Sequence, residues 1–259
     1  LTRGMYPMFC AYDMLLTENV MDEETKKIIT DWFQVIYKEG MNSLEKWENN
    51  DYFNKQYYQN HVVAHTMGFL MLGLVTDNDE LIQFAIDDPS NPRDVYELLA
   101  GCIFMDGDTP CPREKAGAPL PVKGEIYDRY RHDTAPLKGL QYTHLTLTLL
   151  SVNARMCYNN GLDLFAYTAP TGENLRYSFE YYSDYYRMMD SCIKGGYYCG
   201  ETERIAKAGD NPGMYEMGFR YYPDSEPVKQ LINSGVFNRE SSYMDLLGYT
   251  RFLSVVIDN

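Results

Sequence analysis

The chain is predicted to be all-α, with antiparallel helix pairs packed side by side as a bundle, solenoid or toroid. Three observations carry this: apolar residues recur at helical spacing along most of the chain, strand signals are weak throughout, and successive helical segments are joined by turn residues. The 259 residues suffice for one domain over 1–259 that buries roughly three quarters of its unfolded surface. No exact internal repeat is present, and periodicity alone does not choose among the three architectures.

Residues 5–17 and 23–40 form the first helical pair, with Gly40 as a helix stop. After a polar stretch at 45–54, a third helix over about 56–75 is apolar for most of its length, which implies burial on several sides. Asp77, Asn78 and Asp79 precede a helix near 79–86, and another follows Pro89 and Pro92 at about 93–105. Asp77-Asn78-Asp79-Glu80 lacks the glycine and distal glutamate of a calcium loop and reads as helix N-capping. Asp106-Gly107-Asp108 reads as a turn. The stretch 106–124 is too rich in proline and glycine for a regular element and has the length of a functional loop or lid. Residues 137–160 alternate like a strand between His144 and Leu150. Their apolar pattern runs too long for one, however, and Asn160-Gly161 makes a helical end. Further helices are expected at about 174–193, 213–221, 225–234 and 241–255.

The net charge of −14 argues against nucleic acid as a partner, because phosphate binding needs a dense basic footprint. A polyanion would need a local gathering of cations, and Arg129, Arg131 and Lys138 form one. The 24 tyrosines suit a sugar-binding surface and serve equally as helix-packing material. Six cysteines include no CxxC pair; Cys102 with Cys111 and Cys192 with Cys199 are either short-loop disulfides or thiols in helix packing. No apolar run reaches membrane-spanning length. The chain starts at Leu1 without a signal-peptide pattern, as expected of part of a longer mature protein.

Histidine is scarce, so each one is weighed. His61 and His65 stand four apart on one helix face, a spacing a metal pair would use, but Val62 occupies the position where a zinc protease carries its glutamate. On so apolar a helix, a buried, hydrogen-bonded core residue is the preferred reading of His65. Gln59, Asn60 and His61 put three polar side chains at the start of the same helix, where they must find partners in the protein or a ligand. A second cluster gathers Arg129, Arg131, His132, Lys138, Tyr142 and His144; it is either a solvated connector or an anion-binding cleft. No Walker loop, GxSxG elbow or dinucleotide fingerprint is present.

Several stretches carry a family resemblance: AYDML at 11–15, QNH at 59–61, GEIYDRYR with KGLQYTHLTLTLL over 124–150, NNGLDLFAY at 159–167 and MYEMGFRYYPD at 214–224. With them the chain resembles the alginate-lyase-like polysaccharide lyases, family 38 and more distantly family 5. The resemblance implies an (α/α) toroid whose first helices lie upstream of Leu1. It also implies periplasmic or secreted location and an acidic polysaccharide as substrate. By the same resemblance Asn60, His61 and Arg131 engage the uronate carboxylate and Tyr142 transfers protons. Gln59, Arg129, Lys138 and His144 complete the substrate-binding set. The stretch from Arg131 to Tyr142 is longer than in the family pattern, which makes Arg129 the substitute for Arg131. Val62, Val63 and Ala64 stand where family 5 has aromatic residues.

The residue types suit β-elimination. Removing the C5 proton next to a carboxylate requires that carboxylate to be neutralised as charge develops, and Asn60, His61 and Arg131 supply the groups. Tyr142 is a base where neighbouring cations favour its phenolate. Where proton and leaving group share a face, as expected for mannuronan, Tyr142 serves as base and acid; where they lie on opposite faces, as expected for guluronate or glucuronate linkages, His61 is the base and Tyr142 the acid. Protein cations do the neutralising, so no cofactor or metal is expected. The alternatives are a non-catalytic glycan-binding toroid and a hydrolase with metal on His61 and His65.

Overall fold

A computed structural model describes residues 2–49, 58–135, 137–201, 203 and 213–236. Among these no strand occurs, only an isolated antiparallel bridge between Ile103 and Ile126, so the all-α class expected from the sequence is what the structure shows. The helix expected at 241–255 lies outside the described residues. The chain divides into two compact units, one of Leu1–Tyr57 and His61–Leu98, the other of Tyr58–Asn60 and Leu99–Asn259.

In the first unit α1 (Thr2–Thr17) and α2 (Glu23–Glu48) form the leading pair. Asp22 caps α2 by accepting from the Thr25 N–H at 2.7 Å, and Glu23 and Glu24 follow where a helix dipole favours negative charge. Phe9 and Tyr12 meet Phe33 edge-on, with ring centroids 5.0 and 5.1 Å away. Contrary to the sequence expectation, α2 runs through Gly40. That residue is a point of close approach, since a Cβ there would lie 3.0 Å from the Phe69 ring. Phe69 belongs to α3 (Asn60–Val75), whose Val62, Val63, Met67 and Leu70 are buried, as so apolar a segment requires. Asn78 caps α4 (Asp79–Ile86) through the Leu81 N–H, and Asp94 accepts from Glu97 at the start of α5 (Val95–Cys102).

In the second unit residues 106–124 are irregular, with the expected turn at Asp106 and Gly107. A 3-10 turn (Tyr127–Tyr130) leads into α6 (Arg131–Thr134) and α7 (Gly139–Asn159). Then come α8 (Leu175–Met188), α9 (Gly213–Tyr221) and α10 (Glu226–Asn233). The helix α7 packs against the 3-10 turn, α6, α8 and α9, and every residue from Thr146 to Ala154 is buried. Its polar residues survive burial by finding partners: Thr146 donates to Asp128 and Thr148 to the Met214 sulfur at 3.4 Å, while Ser151 donates to the Leu147 carbonyl at 2.7 Å and the Asn153 amide nitrogen to the Leu149 carbonyl at 3.1 Å. This is why a strand-like alternation is compatible with a helix. Gly161, at φ +88°, turns the chain out of α7 where Asn160-Gly161 predicted its end.

Helix α8 ends earlier than expected, with Met189 in the left-handed conformation. A disulfide then joins Cys192 to Cys199, whereas Cys102 and Cys111 are buried thiols. No helix among the described residues is long and apolar enough to cross a membrane.

Candidate active site

The site grows from Asp128, a fully buried carboxylate in the 3-10 turn. Its Oδ2 accepts the backbone N–H of Asn60 at 2.7 Å, and the Asn60 amide nitrogen donates to both carboxylate oxygens at 3.2 and 3.3 Å. The Thr146 hydroxyl, from α7, donates to the same Oδ2. Arg131, at the first position of α6, places its Nε 3.6 Å from Asp128 Oδ1, an ionic contact beyond hydrogen-bond length. Burial pushes the Asp128 carboxyl above its ordinary range, against the opposing pull of Thr146, Arg131 and Asn60.

Arg131 then connects this centre to Tyr142. Its guanidinium carbon lies 4.8 Å from the centroid of the Tyr142 ring and 4.9 Å from that of Tyr130, within the range of a cation–π contact. Asn60, Arg131 and Tyr142 are thereby joined by successive contacts inside one unit, around a carboxylate that sequence reasoning did not single out.

The start of α7, which carries Tyr142, is held by a second buried carboxylate. Glu201 accepts the N–H groups of Gly139 and Leu140 at 2.8 and 2.7 Å, and its Oε1 lies 2.7 Å from His132 Nδ1. A carboxylate on the first amides of a helix answers both the unpaired donors and the helix dipole. Lys138 is half-buried just before this helix, and its carbonyl accepts the Tyr142 N–H at 3.1 Å.

In the first unit His61 is exposed and stacked on Trp47, with ring centroids 4.8 Å apart and planes inclined by 16°. His65 is buried, as preferred from the sequence, with Nε2 3.1 Å from the Ser43 hydroxyl. Burial lowers its pKa to about 4. Among the described residues no group of three or more metal-ligating side chains comes together.

Residues 4–191 match the family described as alginate lyase. The chain belongs to the alginate lyase family. With that membership comes the class of polysaccharide lyases and their all-α toroid fold, in keeping with the helices described above. No curated protein and no solved structure matches the chain.

Of the residues that the sequence offered to this lyase for substrate binding, Arg129 and Gln59 are interior groups instead, and His144 has its polar atoms turned away from solvent. Arg129 is fully buried and ion-paired with Glu125 and with Glu114, the latter at 2.9 Å; it also donates to the Pro119 carbonyl and lies 4.0 Å over the Tyr197 ring. A guanidinium so engaged has no edge left for a polymer. Gln59 is likewise fully buried. His144 has both ring nitrogens shut off from solvent without a hydrogen-bond partner, between the rings of Tyr186 and Tyr215, and burial lowers its pKa to about 4.

What the sequence missed are the anions that organise the cations. Asp128 stands three residues before Arg131, a helical pairing distance that was visible, but nothing in the sequence joined it to Asn60 or Thr146. Glu201 carries no local signal, since its partners lie about sixty residues earlier in the chain.

Proposed function

We propose that this lyase cleaves a 1,4-linked polyuronate by β-elimination, with alginate of the mannuronan type as first substrate and glucuronan as second. One observation carries the reading: the Arg131 guanidinium lies over the Tyr142 ring and shares Asp128 with Asn60. The contact brings a cation next to the side chain that handles the proton. The same cation neutralises a uronate carboxylate while the C5 proton leaves.

In this mechanism the substrate carboxylate meets Arg131, with Asn60 and its chain neighbour His61 completing the neutralising set. Tyr142 takes the C5 proton and returns it to the departing O4, leaving a C4–C5 double bond on the new non-reducing end. Mannuronate and glucuronate differ only at C2 and share their configuration at C4 and C5, so glucuronate belongs with mannuronate in the same-face case, not with guluronate as expected from the sequence, and one tyrosine on one face serves both. Guluronate, inverted at C5, needs a separate base on the opposite face, and His61 is assigned that part. Arg129, Gln59 and His144 have no place at the substrate. Lys138, one turn before Tyr142, remains a candidate for a neighbouring uronate.

A polymer substrate and the disulfide at Cys192 and Cys199 both support a periplasmic or secreted location. The direct test is ultraviolet absorbance of unsaturated uronate during incubation with mannuronan, guluronan and glucuronan. A rise on mannuronan is expected. Silence on all three, with retained binding to any of them, would make the chain a glycan-binding member of its family.

A further inference from the structure

We infer that Asp128 is a positioning residue of the elimination site, acting through Asn60 and Arg131 rather than on the substrate; this rests on the lyase reading above. Asp128 is fully buried, so it touches no polymer. Its two oxygens nevertheless receive the Asn60 main chain and amide, the Thr146 hydroxyl and the ionic contact from Arg131. These groups come from three separate stretches of chain. An ionised carboxylate only accepts, so the Asn60 side chain must present its nitrogen inward to Asp128, and its orientation is set.

The contact to Arg131 is longer than a hydrogen bond. Asp128 therefore draws the guanidinium toward one side without using up its N–H groups in a bidentate pair, which is the opposite of what Glu114 and Glu125 do to Arg129. Two arginines two residues apart are thus sorted by their carboxylates: one is sealed into the interior, the other is aimed over Tyr142. Among the described residues Asp128 is the only carboxylate within 4.0 Å of Arg131.

The test is a mutant cycle on the intact chain. Asp128→Asn keeps size and shape but removes the charge, and kcat on the best polyuronate should fall roughly 10- to 100-fold, since a displacement of about 1 Å in a reacting constellation costs on that order. Arg131→Ala and Asn60→Ala should each lower kcat alone. The distinguishing result is coupling: in the Arg131→Ala, Asn60→Ala double background, Asp128→Asn should cost less than about 3-fold, because both groups it positions are already gone. A merely structural carboxylate would give multiplicative losses, and that outcome overturns the inference. If Asp128→Asn does not fold, Thr146→Val removes one donor to Asp128 and leaves the carboxylate. It should lower kcat by roughly 3- to 10-fold with KM unchanged and should couple to Asn60→Ala, a smaller loss than that of Asp128→Asn because only one of its bonds is deleted. An active wild type with an unaffected Thr146→Val variant also overturns it. A wild type inactive on every polyuronate would instead sink the lyase reading, and this inference with it.

Discussion

Tyr142 differs from five interior tyrosines of its unit in what surrounds its ring. Tyr182, Tyr185, Tyr186, Tyr198 and Tyr215 are fully buried, and burial raises their pKa values; they fill the interior with ring-to-ring contacts, and Tyr182 and Tyr198 also share a hydroxyl hydrogen bond of 3.0 Å. Tyr142 is only half-buried and carries Arg131 on its face. Tyr142→Phe deletes a hydroxyl and nothing else, so turnover should drop by at least about 100-fold with an unchanged circular dichroism spectrum. Retained activity in that variant would move the proton transfer to another group. His65, which is buried, and His144, whose ring nitrogens are shut off from solvent, make a different prediction. Unfolded, each takes up its proton near 6.5; folded, His65 and His144 wait until about 4. Between these values the unfolded chain binds more protons, so stability is intact above 6.5 and is lost as pH falls toward 4, by up to roughly 3 kcal/mol per histidine. Melting curves from pH 7.5 to 4.5 should show this slope, and His144→Leu should make it shallower; an identical slope would place the acid sensitivity elsewhere.

Among the elements, the irregular stretch at 106–124 is fastened rather than loose. Arg129 reaches it through Glu114 and the Pro119 carbonyl, while Glu125 accepts from the Val122 N–H and from the Tyr181 hydroxyl on α8. Arg129→Leu would leave two buried carboxylates without their cation, a loss of about 3–5 kcal/mol. Urea unfolding should register it, and protease should cut first within 106–124; an unshifted urea midpoint would mean that Arg129 holds nothing. Here the sequence was half legible. Proline and glycine announced a loop, and apolar spacing announced α3, α4 and α7, because both signals are local. The sorting of Arg129 from Arg131 was not legible, since it depends on which carboxylate each meets after the chain has folded. Gly40 misled for the same reason: a glycine that ends a helix and one that admits a neighbouring ring look alike until Phe69 is in place.

At the scale of the whole molecule, a protein of net charge −14 is expected to process a polyanion. The two repel at long range, while Arg131 attracts at contact. Raising ionic strength from about 0.01 M to about 0.15 M shortens the screening length from about 30 Å to about 8 Å, which weakens the distant repulsion more than the close pairing. The KM for a polyuronate should therefore fall as salt is added over this range. A steady rise would show that the local cations dominate the approach of the polymer.

The chain has two tryptophans, Trp32 and Trp47, both on α2, and one of them lies flat against His61. An imidazole that gains a proton in face contact with an indole dims its emission. The protein thus contains its own fluorescent gauge of the His61 proton, with no label required. Replacing Trp32 by phenylalanine would leave Trp47 as a single lamp, expected to darken on acidification and to change again when polyuronate is added. A signal indifferent to both would mean that ring and indole do not stay in register in solution.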